Sequence, residues 1–487
     1  MIDWLIAWGT LLWPWVLLAV HVVTMLVASG HAVLTKRDSR SAIGWVGLIW
    51  LAPIVGSLLY FAFGINRLRR RARLLRGSRS YVAAAVVRTS VAEEVLQRFL
   101  GDDGPHLAPL VKYVSRLTHM PLLEGNRITP LATGRQAYEQ MLAAIDQAQQ
   151  TIGLMTYIFD NDAAGQMFVE ALARAVARGV EVRVLIDDVG ARYTFPSIKR
   201  ELRRRGIPFA VFLPTLVPRQ LHYANLRNHR KILVVDGRLG FTGGMNIRQG
   251  HLCAPGDPHP IQDLHFRVEG PVVGHLAETF AYDWEFSAGE HLDGPGWFPS
   301  IPRCGQSLAR GVLDGPDMDI DKIVLAIHGA LSCARRSVEI VTPYFLPEQP
   351  LITALGVTAL RGVAVHILIP EKNNLKLVEW ACMAQLWQIL QRGCRVWLTP
   401  PPFDHTKLMV VDGVWSLVGS ANWDPRSLRL NFEFNLECYD RELASQLSAL
   451  VQAKRAISRE ITLADVDSRP LWQRLRDGVC RLALPYL

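Results

Sequence analysis

A chain of 487 residues can hold two or three average domains, so core size does not limit its fold. Half of its residues are hydrophobic and its mean hydropathy is slightly positive, which is too apolar for an ordinary soluble enzyme with 53 basic and 44 acidic residues. The formal charge of +9 suits an anionic membrane or nucleic acid, while seven cysteines (253, 304, 333, 382, 394, 438 and 480), odd in number and without CxxC spacing, argue against a disulfide framework or a zinc site.

From Leu11 to Leu34 the chain carries no formal charge and is long enough to cross a bilayer as a helix. Ala42 to Phe63 is a second such run, and the short TKRDSRS between them predicts a tight hairpin over residues 1–66. The first residues carry no Lys or Arg, so no cleaved leader is expected. Trp4, Trp8, Trp13 and Trp15, with Tyr60 and Phe61, read as interfacial anchors or as packing within the hairpin. His21 and His31 are expected to bond across the hairpin or to face its edge. Lys36, Arg37 and Arg40 in the loop are outnumbered by Arg67, Arg69, Arg70, Arg71, Arg73, Arg76 and Arg79, which places the N-terminus and the rest of the chain in the cytoplasm. The basic stretch 67–107 reads as a juxtamembrane linker that attracts anionic headgroups.

Beyond it the chain runs twice through one order of elements. A helical stretch leads into TIGLMTYIF (151–159), as another leads into SVEIVTPYF (337–345). RGVEVRVLIDD (178–188) then matches RGVAVHILIPE (361–371), and each copy continues through a helix ending in Arg-Gly to a further strand. Continuous Val, Ile and Leu strands alternating with helices predict an α/β architecture: two similar lobes, 108–310 and 311–460, each a mainly parallel sheet flanked by helices.

Each copy closes on the same pattern. His229-Arg-Lys231 is followed by Asp236 and by GlyGlyMetAsn246; His405-Thr-Lys407 is followed by Asp412 and by GlySerAlaAsn422. Residues i and i+2 of a strand share a face, so each His points with its Lys. One such pair is ordinary surface decoration, but two at equivalent places in a repeat are not. The chemistry suits a phosphodiester: one imidazole attacks phosphorus, the second protonates the departing oxygen and later activates the acceptor. Lys231, Lys407, Asn246 and Asn422 would hold the phosphate and stabilise its developing charge. Asp236 and Asp412 complete the motif, although their place at an Asp-Gly turn suggests a part in the fold. No metal or other cofactor is required by this scheme.

Through these paired HxKxxxxD motifs the chain resembles the phospholipase D superfamily, and within it the bacterial cardiolipin synthases. The text RDSRSAIGWVGLIWLAPIVGSLLYFAFG, NHRKILVVDGRLGFTGGMNI, HFRVEGPVV and SANWDPRSLRLNFEFNLE carries the likeness. The resemblance implies one active site between two similar lobes, a phosphatidyl-histidine intermediate, two phosphatidylglycerol substrates and a place in the bacterial cell membrane. It also implies His229 as nucleophile, His405 as general acid and base, and Asp263 and Glu433 as the carboxylates that orient the histidines. The run IleArgGlnGlyHis after Asn246 departs from the family pattern.

The motif alone leaves open a hydrolytic phospholipase D or nuclease, transfer to another headgroup alcohol, and a degenerate lipid-binding scaffold. Nucleic acid is not an expected partner, because basic residues concentrate beside the apolar runs and no aromatic and basic interleaving suggests base stacking. Finally, RPLWQRLRDGVCRLALPYL (469–487), within a last segment 461–487, predicts an amphipathic helix with Leu471, Leu475, Val479 and Leu482 on one side. Packing on the second lobe is its first expected role, contact with the membrane the alternative.

Overall fold

A computed structural model of the chain describes residues 2–36, 39–64, 93–214, 226–316 and 319–482, with side chains from residue 13 onward. These fall in two compact units, an N-terminal one ending at residue 64 and a body that begins at residue 93. Arg37 and the arginines from Arg67 to Arg79 lie outside the described residues, as do the side chains of Trp4, Trp8 and Arg40.

In the N-terminal unit one helix runs from Ile2 to Thr35, and its stretch Trp13–Thr35 is long and apolar enough to cross a membrane. The second apolar run is not one uninterrupted span. It forms a helix Ser39–Leu51, a second helix Pro53–Leu59 and a π turn Tyr60–Gly64. The cause is Pro53, which has no N–H and disfavours helical backbone at the residue before it; Ala52 accordingly sits at φ −141°. The pieces pack back on the first helix through polar contacts. His31 Nδ1 lies 2.6 Å from the Tyr60 hydroxyl, and Trp50 Nε1 donates to Ser29 Oγ at 3.2 Å. Tyr60 is therefore buried packing, not an interfacial anchor, whereas Trp13 and Trp15 are exposed. His21 bonds the Leu17 carbonyl of its own helix.

The body is built on a single 16-stranded sheet. Its first half contains β1 (Leu123–Leu131), β2 (Thr151–Thr156), β3 (Glu181–Asp187), β4 (Phe209–Phe212), β5 (Arg227–Asn228), β6 (Ile232–Val235), β7 (Leu239–Gly243), β8 (Ile261–Gln262) and β9 (His265–Glu269). The second half contains β10 (Ser307–Asp314), β11 (Ser337–Val341), β12 (Ala364–Pro370), β13 (Arg395–Thr399), β14 (Phe403–Asp404), β15 (Leu408–Val411), β16 (Trp415–Gly419), β17 (Asn431–Tyr439) and β18 (Arg459–Ile461). Sixteen of these strands form the one sheet, in the order β18-β13-β12-β11-β15-β16-β17-β10-β1-β9-β7-β6-β2-β3-β4 with β5 paired to β17 off this path, and β8 and β14 form a separate two-stranded sheet. From the antiparallel β10–β1 pair at its centre, each half reads outward through the same succession of elements, which is the repeat seen in the sequence.

The halves are mixed sheets, not mainly parallel ones. Along this order parallel pairing joins β2, β3 and β4 and, in the other half, β11, β12 and β13; the remaining neighbours are antiparallel. The reason is the Asp-Gly turn. Asp236 and Gly237 have φ of 51° and 61°, Asp412 and Gly413 of 55° and 66°, and these positive values turn the chain tightly enough for Val235 to pair with Leu239 and Val411 with Trp415, returning the strand beside itself.

Two lobe boundaries also shift. The helices Glu93–Leu100 and Ala108–Thr118 bury Leu96, Leu100, Val111 and Val114 in the core of the second half, beside Ile323, Ile327 and Val338. Residues 93–107 are thus part of a packed lobe and not linker, and 108–118 serve the second half instead of the first. The division at 310 falls inside β10.

Candidate active site

Each motif histidine is placed by a short bridge to the opposite half of the sheet. β5, just before His229, pairs in parallel with Asn431 and Phe432 of β17, and the His229 N–H donates to the Phe432 carbonyl at 2.9 Å. Reciprocally β14, just before His405, pairs with β8, and the His405 N–H donates to the Gln262 carbonyl at 2.7 Å. The next residue on each partner strand is a carboxylate. The partnership is therefore crossed: His229 Nδ1 lies 3.0 Å from Glu433, and His405 Nδ1 lies 2.7 Å from Asp263. With Nδ1 so occupied, each Nε2 is left for whatever enters the site.

Both histidines, with Asn246 and Asn422, line one cavity of about 600 Å³. The Asn246 carboxamide is fixed by the Ile158 N–H at 3.0 Å. Lys231 and Lys407 are buried behind the wall, each ammonium donating to the carbonyl of its own motif histidine. Burial without a full counter-charge disfavours the cations, pushing Lys231 down to about 7 and Lys407 to about 8. The same burial lowers His229 to about 4, against the pull of Glu433, and holds His405 well below its ordinary value with help from Lys407 and Lys231. The site is thus short of anionic charge.

The two carboxylates differ. Burial alone would raise Glu433, but His229, Lys231 and Ser420 outweigh it and its value falls; Ser420, Ser427 and Asn431 all donate to it. Asp263 is raised by burial. Gly244 stands where the second copy has Ser420, and a Cβ there would meet an Asp263 oxygen at 2.2 Å, so the close seat of that carboxylate needs glycine.

Asp236 and Asp412 are not beside the histidines. At the far ends of their strands each turns its carboxylate onto three consecutive backbone N–H groups: Gln149, Gln150 and Thr151 for Asp236, and Arg335, Arg336 and Ser337 for Asp412. They fix the entry into β2 and β11: although they complete the motif and count with its catalytic residues, they stand apart from the histidines, in the part in the fold that their place at an Asp-Gly turn suggests.

Other residues outside the motifs also line the cavity. Tyr157, after β2, and Tyr344, after β11, stand one position out of register in the repeat, yet they meet His229 and His405 edge-on, with ring centroids 5.2 and 6.2 Å apart. His251, from the departing run, lies 6.4 Å from the His405 ring, and its Nε2 accepts from the Asn246 N–H. Arg227, Arg248, Lys376 and Arg426 add cationic groups around the cavity.

Two equivalent His-Lys motifs meeting in one cleft of a duplicated α/β sheet define a phospholipase D-type enzyme. The family described as cardiolipin synthase, PLD-like domain, matches residues 141–284 and 327–454, and the phospholipase D-nuclease N-terminal family matches 13–64. The chain belongs to the phospholipase D-like cardiolipin synthase family. It is 31% identical to the major cardiolipin synthase of Bacillus subtilis, over 93% of this chain and 95% of that one. It is 33% identical to cardiolipin synthase A of Pseudomonas putida strain W619, over 97% and 98%. The crystal structure of phosphatidylserine synthase from Haemophilus influenzae superposes with a TM-score of 0.58 at 16% identity, over 78% of this chain and all of that one, and shares the fold.

Proposed function

We propose that the chain makes cardiolipin and glycerol from two phosphatidylglycerol molecules. The carrying observation is the pair of crossed histidine–carboxylate contacts facing one cavity. Nε2 of His229 attacks phosphorus, the bond from phosphorus to the glycerol oxygen breaks, and His405 delivers a proton to that oxygen. The terminal hydroxyl of a second phosphatidylglycerol then loses its proton to His405 and attacks phosphorus, and the P–N bond breaks to free His229. Glu433 stabilises the phosphorylated imidazolium and Asp263 the charged form of His405. Lys231 and Lys407 turn from the histidine carbonyls toward the phosphate, with Asn246 and Asn422 at its sides. A bound phosphodiester offsets the site's shortage of anionic charge, restoring charge to both lysines and a proton to His405. Phosphodiester energy is retained throughout, so neither nucleotide nor metal is used.

The same proposal places both apolar segments across the bacterial cell membrane, with the N-terminus and the catalytic body in the cytoplasm. The seven arginines after the second run support that orientation. Purified protein in vesicles containing labelled phosphatidylglycerol tests the reaction. Cardiolipin with glycerol is expected; phosphatidic acid as main product would make the enzyme a hydrolase, and no product would make it a scaffold.

A further inference from the structure

The C-terminal helix Leu471–Leu482 packs on the helix Lys376–Met383 by its charged side. Asp477, 1% exposed, is paired with both Arg469 and Arg476, and the Arg476 guanidinium stacks 4.2 Å over Trp380. A buried, doubly paired carboxylate fixes the rotation of the helix. At 100° per residue, Leu471, Trp472, Leu475, Val479 and Leu482 then share one arc of about 100° on the opposite side. All five are 61–80% exposed. The expected packing on the second lobe is made without the apolar stripe, which faces outward.

An outward apolar stripe of this kind, exposed among the described residues, is costly in water and needs a partner. Its edges say which. Arg474 and Arg481 flank it on one side and Arg476 on the other, while the acidic residue of the helix is buried and neutralised. Apolar centre, cationic margins and no exposed acid are complementary to an anionic lipid surface. Leu375 and Leu377, half exposed at the start of the supporting helix, line the catalytic cavity.

We infer that the C-terminal helix lies in the surface of the bilayer and presents the rim of the cavity at Leu375 and Leu377 to lipid. Its consequence for turnover rests on the lipid-transfer reading; the contact itself does not.

Full-length protein carrying benzoylphenylalanine in place of Leu475 is reconstituted in vesicles of equal parts phosphatidylglycerol and phosphatidylethanolamine and irradiated. A protein–lipid adduct is expected. A crosslink to a second copy, or no adduct, overturns the inference whatever reaction the enzyme performs. In parallel, Leu475→Asp with Val479→Asp is assayed in the full chain. Turnover of vesicle lipid should fall roughly fivefold or more, while turnover of a short-chain phosphatidylglycerol kept monomeric changes less than about twofold. Equal losses on both substrates, or no loss on vesicles, overturn it as well.

Discussion

Replacing Glu433 by Gln tests the crossed site most sharply. The side chain is fully buried, and the amide is nearly isosteric, so the change removes charge more than volume. At 3.0 Å from His229 Nδ1, a full charge pair attracts by roughly 5 kcal/mol at an effective dielectric near 20. A hydrogen bond to a charged group contributes about 1.5–3 kcal/mol net. Between these bounds, loss of the charge that stabilises a phosphorylated His229 should lower kcat about 10²- to 10³-fold, with KM moving little. Ser420, Ser427 and Asn431, which donate to the carboxylate, must share an amide, so Tm falls modestly and sets a check on folding.

The decisive comparison is with Asp263→Asn, using a substrate whose leaving group is glycerol and another whose leaving group is nitrophenolate. Asp263 touches His405, whose task at that step is to protonate the leaving oxygen. A leaving group that needs no proton should recover most of the loss in Asp263→Asn and little of it in Glu433→Gln. If recovery instead follows Glu433→Gln, the roles of the two histidines are exchanged. Equal recovery in both variants would refute the division of labour altogether.

Three further outcomes are expected. Asp236→Ala and Asp412→Ala should each lose about 2–4 kcal/mol of stability, read as a drop in Tm, while folded protein at low temperature keeps most of its kcat, because each carboxylate serves three backbone N–H groups and no reacting atom. Binding of a nonhydrolysable phosphodiester lipid at pH 6 should take up protons, seen by calorimetry in buffers of different ionisation enthalpy, since an anion raises the depressed His405; above pH 7 to 8 Lys231 and Lys407 lose charge, and KM should climb by up to roughly tenfold per pH unit per lysine. His229→Ala and His405→Ala should each abolish nearly all turnover, and the double variant should be little worse than either, measured on protein whose Tm is unchanged.

What the sequence disclosed follows the range of the forces involved. The apolar run before Thr35 and the twofold order of strands are local patterns, and both stand in the structure. Pro53 was equally visible, and its break in the second run follows from proline chemistry alone. The helices Glu93–Leu100 and Ala108–Thr118 announce an apolar face, but periodicity does not say which lobe receives it. For the C-terminal helix the stripe was legible and its direction was not, because the decision belongs to Asp477 and its two arginines on the polar side. His251 was noticed only as a departure from the family pattern, and its place near His405 depends on a loop that returns to the cavity.

The crossed partnership lay beyond sequence reasoning for a related reason. Asp263 follows Asn246 by 17 residues and Glu433 follows Asn422 by 11, so each carboxylate looks like the local companion of its own motif. The bridges β5–β17 and β14–β8 exchange them. Arg230 reinforces one exchange from the other face of its strand, bonding Asp283 in its own half and the Glu433 and Asp314 carbonyls in the other. Neither half alone can then assemble a histidine with its carboxylate. A half-formed site would lack the carboxylate that holds Nδ1 of its histidine, and with it the oriented Nε2 needed for attack. Docking of the halves supplies both carboxylates at once, so the site exists only where the two halves meet.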